Sequence, residues 1–563
     1  MGFTYRLRLN GSFSINLRFC VVDRSQVAKH EEMKVNFAPN AAPFLLGCLL
    51  VLLGGCQPKS DPPVLPAPEI SNQIPRLRAL DFNPFEKTMA KVSEARIREI
   101  ADLLQRATIP ELQEEMKRGK VSSEELTSVF LLRIQRLDAR LRSYIELNPQ
   151  CLEDAKAADR ARKAGQAIGP LQGIPINVKD NIGTVLPLHT TVGAEILLNH
   201  TPAQDAAIVA QLRKAGAVIL GKASLSELAG TLTTEPPGYN AVSGIGVNPY
   251  GETFPVSGSS SGSAISVSAG LAVVSVGTET SGSLISPASV NGVVAMKPSL
   301  GVVSGQGIVP LIRYQDSAGP IARNVTDAAL LLAEMDLQQT NYLAALKPDA
   351  LSGVKVGVLR SGIQKETGPW LSRIDQGLRE AKAVSLDIEE SFESKPNLLP
   401  VIFLGLSRDT VGYMKTAGLP VSTIADLQAY NLAKPDIRMP RGQNMIDLGV
   451  QILKAIVEES HIAETELGDD FEQAALAVRE EAAALLAKTF ADHQVEVLVS
   501  LSNKHSELYA PAGYPAITIP LGLGPDGAPN GVTLIGKRGD DTRLLAFAYA
   551  FEQAARLRVP PPL

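Results

Sequence analysis

Three short stretches of this chain carry residue types that could perform acyl transfer together. The run Gly173-Ile174-Pro175-Ile176-Asn177-Val178-Lys179-Asp180-Asn181 ends an apolar strand-like segment on a lysine. A lysine in apolar surroundings gives up its proton far more readily than a solvated one, so it can act as a base near neutral pH. The run Gly258-Ser259-Ser260-Ser261-Gly262-Ser263 leads directly into the core-like Ala264-Ile265-Ser266-Val267. Small hydroxyl residues embedded between buried elements suggest a site whose backbone approaches a substrate closely. The third stretch, Gly277-Thr278-Glu279-Thr280-Ser281-Gly282-Ser283, is a small-residue turn between two buried segments. Such turns aim successive backbone N–H groups at one point, the arrangement an oxyanion hole needs. Each stretch also has a bland reading: the lysine could be a surface residue paired with Asp180, and the serine run a flexible linker.

Two local motifs suggest other chemistry. Gly258-x-Ser260-x-Gly262 fits the G-x-S-x-G elbow, which would make Ser260 the nucleophile of an α/β-hydrolase with His493 or His505 as base. An elbow requires a strand running into the turn, whereas residues 248–255 (NPYGETFP) read as loop. Residues 216–222 (GAVILGK) mimic the start of a phosphate-binding loop, but Ala223 replaces the Mg²⁺-holding hydroxyl and Ala217 to Leu220 read as a buried strand. Cys20, Cys48, Cys56 and Cys151 have no metal-ligand spacing, and the six histidines form no HExxH pair. No metal centre is expected.

Together the three stretches resemble the amidase signature family, over nearly all of residues 107–556. The Gly-x-Pro-x-x-x-Lys-Asp strand matches at Gly173 to Asp180, the serine run at Gly258 to Ser263, and the nucleophile turn at Gly277 to Ser283. Ser259 and Ser283 stand twenty-four residues apart, the separation the family shows between its two catalytic serines. Supporting stretches are residues 225–229 (LSELA), 297–299 (KPS), 315–320 (QDSAGP) and 512–520 (AGYPAITIP). The resemblance implies a Ser-Ser-Lys triad in which Ser283 attacks the carbonyl, Ser259 relays the proton and Lys179 receives it. It implies an oxyanion hole from the amides of Thr280, Ser281, Gly282 and Ser283, a cis peptide between Gly258 and Ser259, and no cofactor. Two departures are expected to border the substrate pocket: Ser281 where many members carry Gly, and Ile285 where many carry Arg. The leading expectation is hydrolysis of a small or peptide-terminal linear amide. The alternatives are a glutaminase-like subunit of a tRNA-dependent amidotransferase, a catalytically idle membrane-tethered binding protein, and the Ser260 hydrolase.

The elements that must position these residues read as α/β. Helical periodicity runs through Ile97, Ile100, Leu103 and Leu104, then through Leu126 to Leu137 behind a Ser122-Ser123-Glu124-Glu125 start signal. Strands are expected near residues 174–178, 218–220, 354–359, 515–520 and 532–535, a helix over 206–215, a buried segment over 265–276 and a last helix over 542–555. The expected architecture is one large domain, residues 93–563, with a mixed twisted β-sheet core surrounded by helices. Residues 337–448 are expected to form an irregular, mainly helical insertion.

Composition agrees with a globular enzyme: 563 residues, 45% hydrophobic and 20% charged, with a net charge of −5. Without a basic surplus, nucleic acid is disfavoured as a partner. The N-terminal region carries a separate signal. Phe44 to Gly55 is apolar but shorter than the roughly 18–20 residues of a membrane helix, and Leu53-Gly54-Gly55-Cys56 resembles a bacterial lipoprotein cleavage box. On this reading residues 1–32 are a non-native upstream extension, 33–55 a signal peptide, Cys56 the lipidated residue and 56–92 a Pro-rich tether. The enzyme would then sit in the cell envelope, on the periplasmic side, and residence at the outer membrane is suggested by Gln57 after the cysteine. Arg6, Arg8, Arg18 and Arg24 could instead make residues 1–32 an overlong basic n-region of the same signal, and the alternative to the signal altogether is a cytoplasmic enzyme with an uncleaved apolar tail.

Overall fold

The computed structural model describes residues 14–22 and 28–36 as backbone strands, and residues 75–563 apart from 167, 235, 361–367, 390, 391, 393, 394, 461, 462 and 465–467. The apolar run Phe44 to Gly55 and Cys56 lie outside the described residues. Ser14–Val22 and Ala28–Asn36 pair antiparallel, apart from the main sheet. Among the described residues no helix is long and apolar enough to cross a membrane.

Eleven strands form one mixed sheet: β1 Tyr144–Leu147, β2 Pro175–Lys179, β3 Val218–Ala223, β4 Val274–Glu279, β5 Val294–Lys297, β6 Ser317–Ala322, β7 Lys355–Leu359, β8 Val384–Ile388, β9 Val497–Leu501, β10 Ala516–Leu523 and β11 Pro529–Ile535. Their order across the sheet is β8-β7-β9-β11-β10-β5-β6-β4-β2-β3-β1. β4, β2 and β3 run parallel, and all three are buried along their length, so that even their polar residues Asn177, Lys179, Lys222 and Ser275 are buried. The parallel register Asn177↔Ser275 and Val178↔Val276 sets the carboxyl ends of β2 and β4 side by side. Sites in α/β sheets form at such ends.

Helices cover the sheet: α1 Ser123–Leu141 on β2, α2 Ser261–Ser268 on β2 to β4, α3 Ile285–Val290 on β5, β10 and β11, α4 Val325–Met335 on β4 to β6, and α5 Asp541–Ala555 on β10 and β11. The start signal of α1 works as its sequence suggests: the Ser122 side chain accepts the Glu125 N–H, with Glu124 and Glu125 in the first turn. α2 is buried on every side and needs small residues. A Cβ on Gly262 would stand 2.5 Å from the Ser224 backbone nitrogen.

Two expected boundaries differ from what is seen. The packed body begins well before residue 93. Phe85 and Met89 are buried, and Arg76 donates to the Tyr144 carbonyl at 2.7 Å and to buried Asp138 at 2.8 Å. Sparse periodicity hid this, because the segment is held by arginine anchoring and a few large apolar side chains rather than by a long helix. Within residues 337–448, the expected strand is present as β7 and a second, β8, extends the sheet beyond it, so the helical cap starts only at Leu399. β8 (Val-Ser-Leu-Asp-Ile) is an edge strand, mostly exposed, whose mixed polarity masked it. The cap's apolar side chains, among them Phe403, Leu406, Met414 and Ile424, share a core with Leu228, Leu311 and Ile312 of the sheet-side loops.

Candidate active site

Lys179 closes β2, fully buried, and its Nζ lies 2.6 Å from Ser259 Oγ, 2.9 Å from Thr278 Oγ1 and 3.2 Å from the Thr278 carbonyl. In the ammonium form Nζ donates to all three oxygens. In the neutral form two N–H bonds serve Thr278, and the lone pair is left to take the Ser259 hydroxyl proton. The arrangement therefore suits a base as well as a cation. Burial dominates and pulls Lys179 from 10.5 down to about 7, against the opposing pull of the Asp316 and Glu279 carboxylates.

Ser259 sits just before α2, behind a cis peptide from Gly258. Its carbonyl accepts the Ser226 N–H at 3.0 Å, and it is 2% exposed. Ser283 lies on the turn after β4 and is partly exposed, so accessibility increases from the buried lysine to this hydroxyl. The two serine turns are tied together by the Ser260 N–H donating to the Ser283 carbonyl at 3.1 Å.

Glu279 braces the nucleophile turn from inside, with Oε2 accepting the N–H groups of Leu284 at 2.8 Å and Ile285 at 3.1 Å. Gly282 takes φ +78°, and a Cβ there would stand 2.9 Å from Asn503 Nδ2, so the turn requires glycine. The backbone N–H groups of Thr280, Ser281, Gly282 and Ser283 make no hydrogen bond among the described residues. They form a cluster of free donors suited to an oxyanion. Beside it opens a cavity of about 160 Å³, lined by Asn181, Thr278, Thr280, Leu311, Arg313 and Asp316 among others. Asp316 accepts from Thr280 Oγ1 at 2.5 Å and from the N–H groups of Leu311 and Ile312 at 2.7 and 3.0 Å, while burial pushes its carboxyl up to about 6.

Residues 125–545 match the family described as Amidase. The chain belongs to the amidase family. A probable amidase of Arabidopsis thaliana is 33% identical over 488 residues, covering 81% of this chain and 92% of that one. A glutamyl-tRNA(Gln) amidotransferase subunit of Moorella thermoacetica is 33% identical over 484 residues, covering 79% and 96%. The structure of the native peptide amidase from Stenotrophomonas maltophilia superposes with TM-score 0.72 at 35% identity, covering 81% of this chain and 98% of that one. This amidase is thus a signature-family hydrolase acting on carbon–nitrogen bonds.

The rival motifs take structural roles in the amidase. Ser260 is fully buried; its hydroxyl donates to the Thr278 carbonyl at 3.0 Å and accepts the Thr278 N–H at 3.2 Å. His505 Nδ1 instead pairs with Ser500 Oγ at 2.7 Å, and burial lowers the ring to about 4. Gly216 to Lys222 runs into β3, and Lys222 donates to Thr184 and Thr190 hydroxyls. Among the described residues no acidic, histidine or cysteine cluster could hold a metal. Ile285 does not border the cavity: it packs in a core cluster with Leu359, Leu508 and Tyr509. A residue opening α3 behind the turn points into the sheet packing rather than toward substrate. Thr278, Asn181 and Asp409 escaped the sequence reading as site residues. Thr278 and Asn181 lie inside the recognised stretches, and a buried lysine's need for acceptors was the signal available for Thr278. Asp409 reaches the pocket loop from the distant cap, accepting the Arg313 N–H at 2.8 Å and its Nε at 2.7 Å, and no local pattern marks it.

Proposed function

We propose that the amidase hydrolyses linear primary carboxamides, with peptide-terminal amides as the substrate class, through an acyl-enzyme on Ser283. The observation that carries this is the fully buried Lys179, 2.6 Å from Ser259 Oγ and beside the unpaired N–H groups of the 280–283 turn. Neutral Lys179 takes the Ser259 proton as Ser259 takes that of Ser283, whose Oγ bonds to the carbonyl carbon. The displaced π-electrons rest on the oxyanion, held by the amides of Thr280, Ser281, Gly282 and Ser283. Lys179 then returns the proton through Ser259 to the leaving nitrogen, the C–N bond breaks, and ammonia departs. Water hydrolyses the ester by the reverse relay. No cofactor enters these steps. The peptide amidase similarity supports the choice of substrate class.

The test is ammonia release by the purified chain from a panel of C-terminally amidated peptides and small amides. Turnover by the chain alone supports the reading. The amidotransferase relatives favour a second reading, in which only glutamine is cleaved and only with partner subunits added.

We also propose that Cys56 is lipidated and anchors the enzyme in the cell envelope, a reading supported by the apolar run, the Leu-Gly-Gly-Cys box and the Pro-rich segment after it. Two or three acyl chains, each buried CH₂ contributing about 0.8 kcal/mol, would hold it stably. Cell fractionation beside Cys56→Ser, with mass spectrometry of the mature N-terminus, tests this. Recovery of both proteins in the soluble cytoplasmic fraction with residues 33–56 attached would refute it.

A further inference from the structure

Asn181 follows the catalytic strand by two residues and lines the cavity next to Lys179 and Thr278. It is 4% exposed. Its Nδ2 donates to Thr278 Oγ1 at 3.0 Å, the same oxygen that accepts from Lys179, and its backbone carbonyl accepts the Val309 N–H at 2.8 Å. The side-chain oxygen Oδ1 is buried and has no partner. Among the described residues, Asn181 is the only cavity-lining side chain that keeps a buried polar atom unpaired. A buried acceptor without a donor is costly, and such groups in folded proteins call for an explanation.

We propose that Asn181 Oδ1 is a substrate contact that accepts one N–H of the scissile carboxamide, making the enzyme selective for amides over esters. The inference rests on the amide-hydrolase reading above. With the carbonyl oxygen at the 280–283 amides, the carboxamide nitrogen must face the Ser259–Lys179 side, because the relay delivers its proton there. A primary carboxamide has two N–H donors on that nitrogen, and Asn181 lines the cavity beside Thr278, the residue that also holds Lys179. Accepting one of them orients the NH₂ group so that its lone pair can face Ser259 as the C–N bond breaks. An ester has no such donor, and binding one would leave Oδ1 buried and unpaired. Sites built to pair a substrate N–H reject analogues that lack it for this reason.

The residue's second bond, to Thr278, means that a substitution could act through Lys179 instead, so the test separates the two roles. Asn181→Leu in the full chain is assayed on a primary amide and the methyl ester of the same acyl group, alongside the rate of Ser283 modification by a fluorophosphonate. We expect kcat/KM for the amide to fall about ten- to a hundredfold, since a tenfold change corresponds to about 1.4 kcal/mol. Ester turnover and fluorophosphonate labelling, which need no N–H, fall at least about tenfold less than the amide rate, and the acid limb of the pH profile does not move. An equal loss on amide, ester and probe, or a shifted acid limb, would show that Asn181 only positions Thr278 and Lys179. An unchanged amide rate would show no substrate contact. A second arm needs no variant: the unaltered enzyme should favour the amide over the N,N-dimethylamide and the methyl ester of one acyl group, and an ester cleaved faster than the amide overturns the inference. Absence of any amide turnover with Ser283 unlabelled would instead remove the amide-hydrolase reading itself.

Discussion

The acid limb of the pH–rate profile should report Lys179, and Asp316→Asn should move it downward. At about 7 the lysine is half neutral at pH 7, whereas an ordinary lysine at 10.5 is neutral in about one molecule in 3,000. Burial thus raises the supply of free base roughly a thousandfold. kcat/KM for an amide should accordingly stand near a tenth of its plateau at pH 6, about half at pH 7 and about nine-tenths at pH 8. The Asp316 carboxylate is the first of the groups that oppose burial and hold the lysine up. Asparagine can keep the local bonds: its oxygen accepts the Leu311 and Ile312 N–H groups, and its NH₂ donates to Thr280 Oγ1, replacing the pairings of the carboxylate. With the charge gone and the loop held, Lys179 falls below about 7, and the variant retains a larger share of its plateau at pH 6 than the wild type does. Initial rates on a saturable amide from pH 5 to 9 measure both curves. A limb that stays in place or moves upward in Asp316→Asn, or a wild-type limb near 10, would refute the assignment of Lys179 as base.

Ser260→Ala should cost about 1–3 kcal/mol of stability by stripping the Thr278 backbone of its partner, yet leave covalent modification at Ser283, as peptide mapping will show. His505→Gln and His493→Ala should keep kcat/KM within about twofold, since neither ring serves the relay. Gly262→Ala should destabilise by about 3 kcal/mol or more in thermal unfolding, because its Cβ meets the backbone of Ser224, which cannot swing aside. Lys297 is fully buried and lowered to about 8, mainly by burial. The unfolded chain therefore binds the extra proton between about 8 and 10.5, stability contributed through this group rises with pH across that window, and Lys297→Met should flatten the rise in denaturant titrations at pH 8 to 10.

Much of this site was legible because its chemistry is written in contiguous stretches. Pro175 to Lys179 is buried along its whole length, and the apolar Ile174, Ile176 and Val178 leading to a terminal lysine marked a strand that ends in the site. Gly282 is demanded by a positive φ and by Asn503, so the turn announces itself in glycine and small residues. What stayed hidden depends on tertiary approach. Asp316 lies in the recognised 315–320 stretch, but its action on Lys179 across the sheet was not legible there, and Asp409 grips Arg313 from a cap helix nearly a hundred residues further along the chain. The cap segment Leu406–Val411 forms a wider π-turn that presents Asp409 and Thr410 to residues 310–313, a geometry that no periodicity encodes. Ile285 misled for the opposite reason: its place two residues after a recognised turn suggested the pocket, but the first residue of α3 faces the core.

The mechanism proposed above makes Ser283 the nucleophile, activated through Ser259 by Lys179. Peptide mapping of the adduct formed by a fluorophosphonate tests it most directly, with labelling rates compared across Ser283→Ala, Ser259→Ala and Lys179→Ala. One adduct is expected, on Ser283, abolished by Ser283→Ala and formed orders of magnitude more slowly in the other two variants while their unfolding transitions remain cooperative. An adduct on Ser260, or near-normal labelling without Lys179, would contradict it.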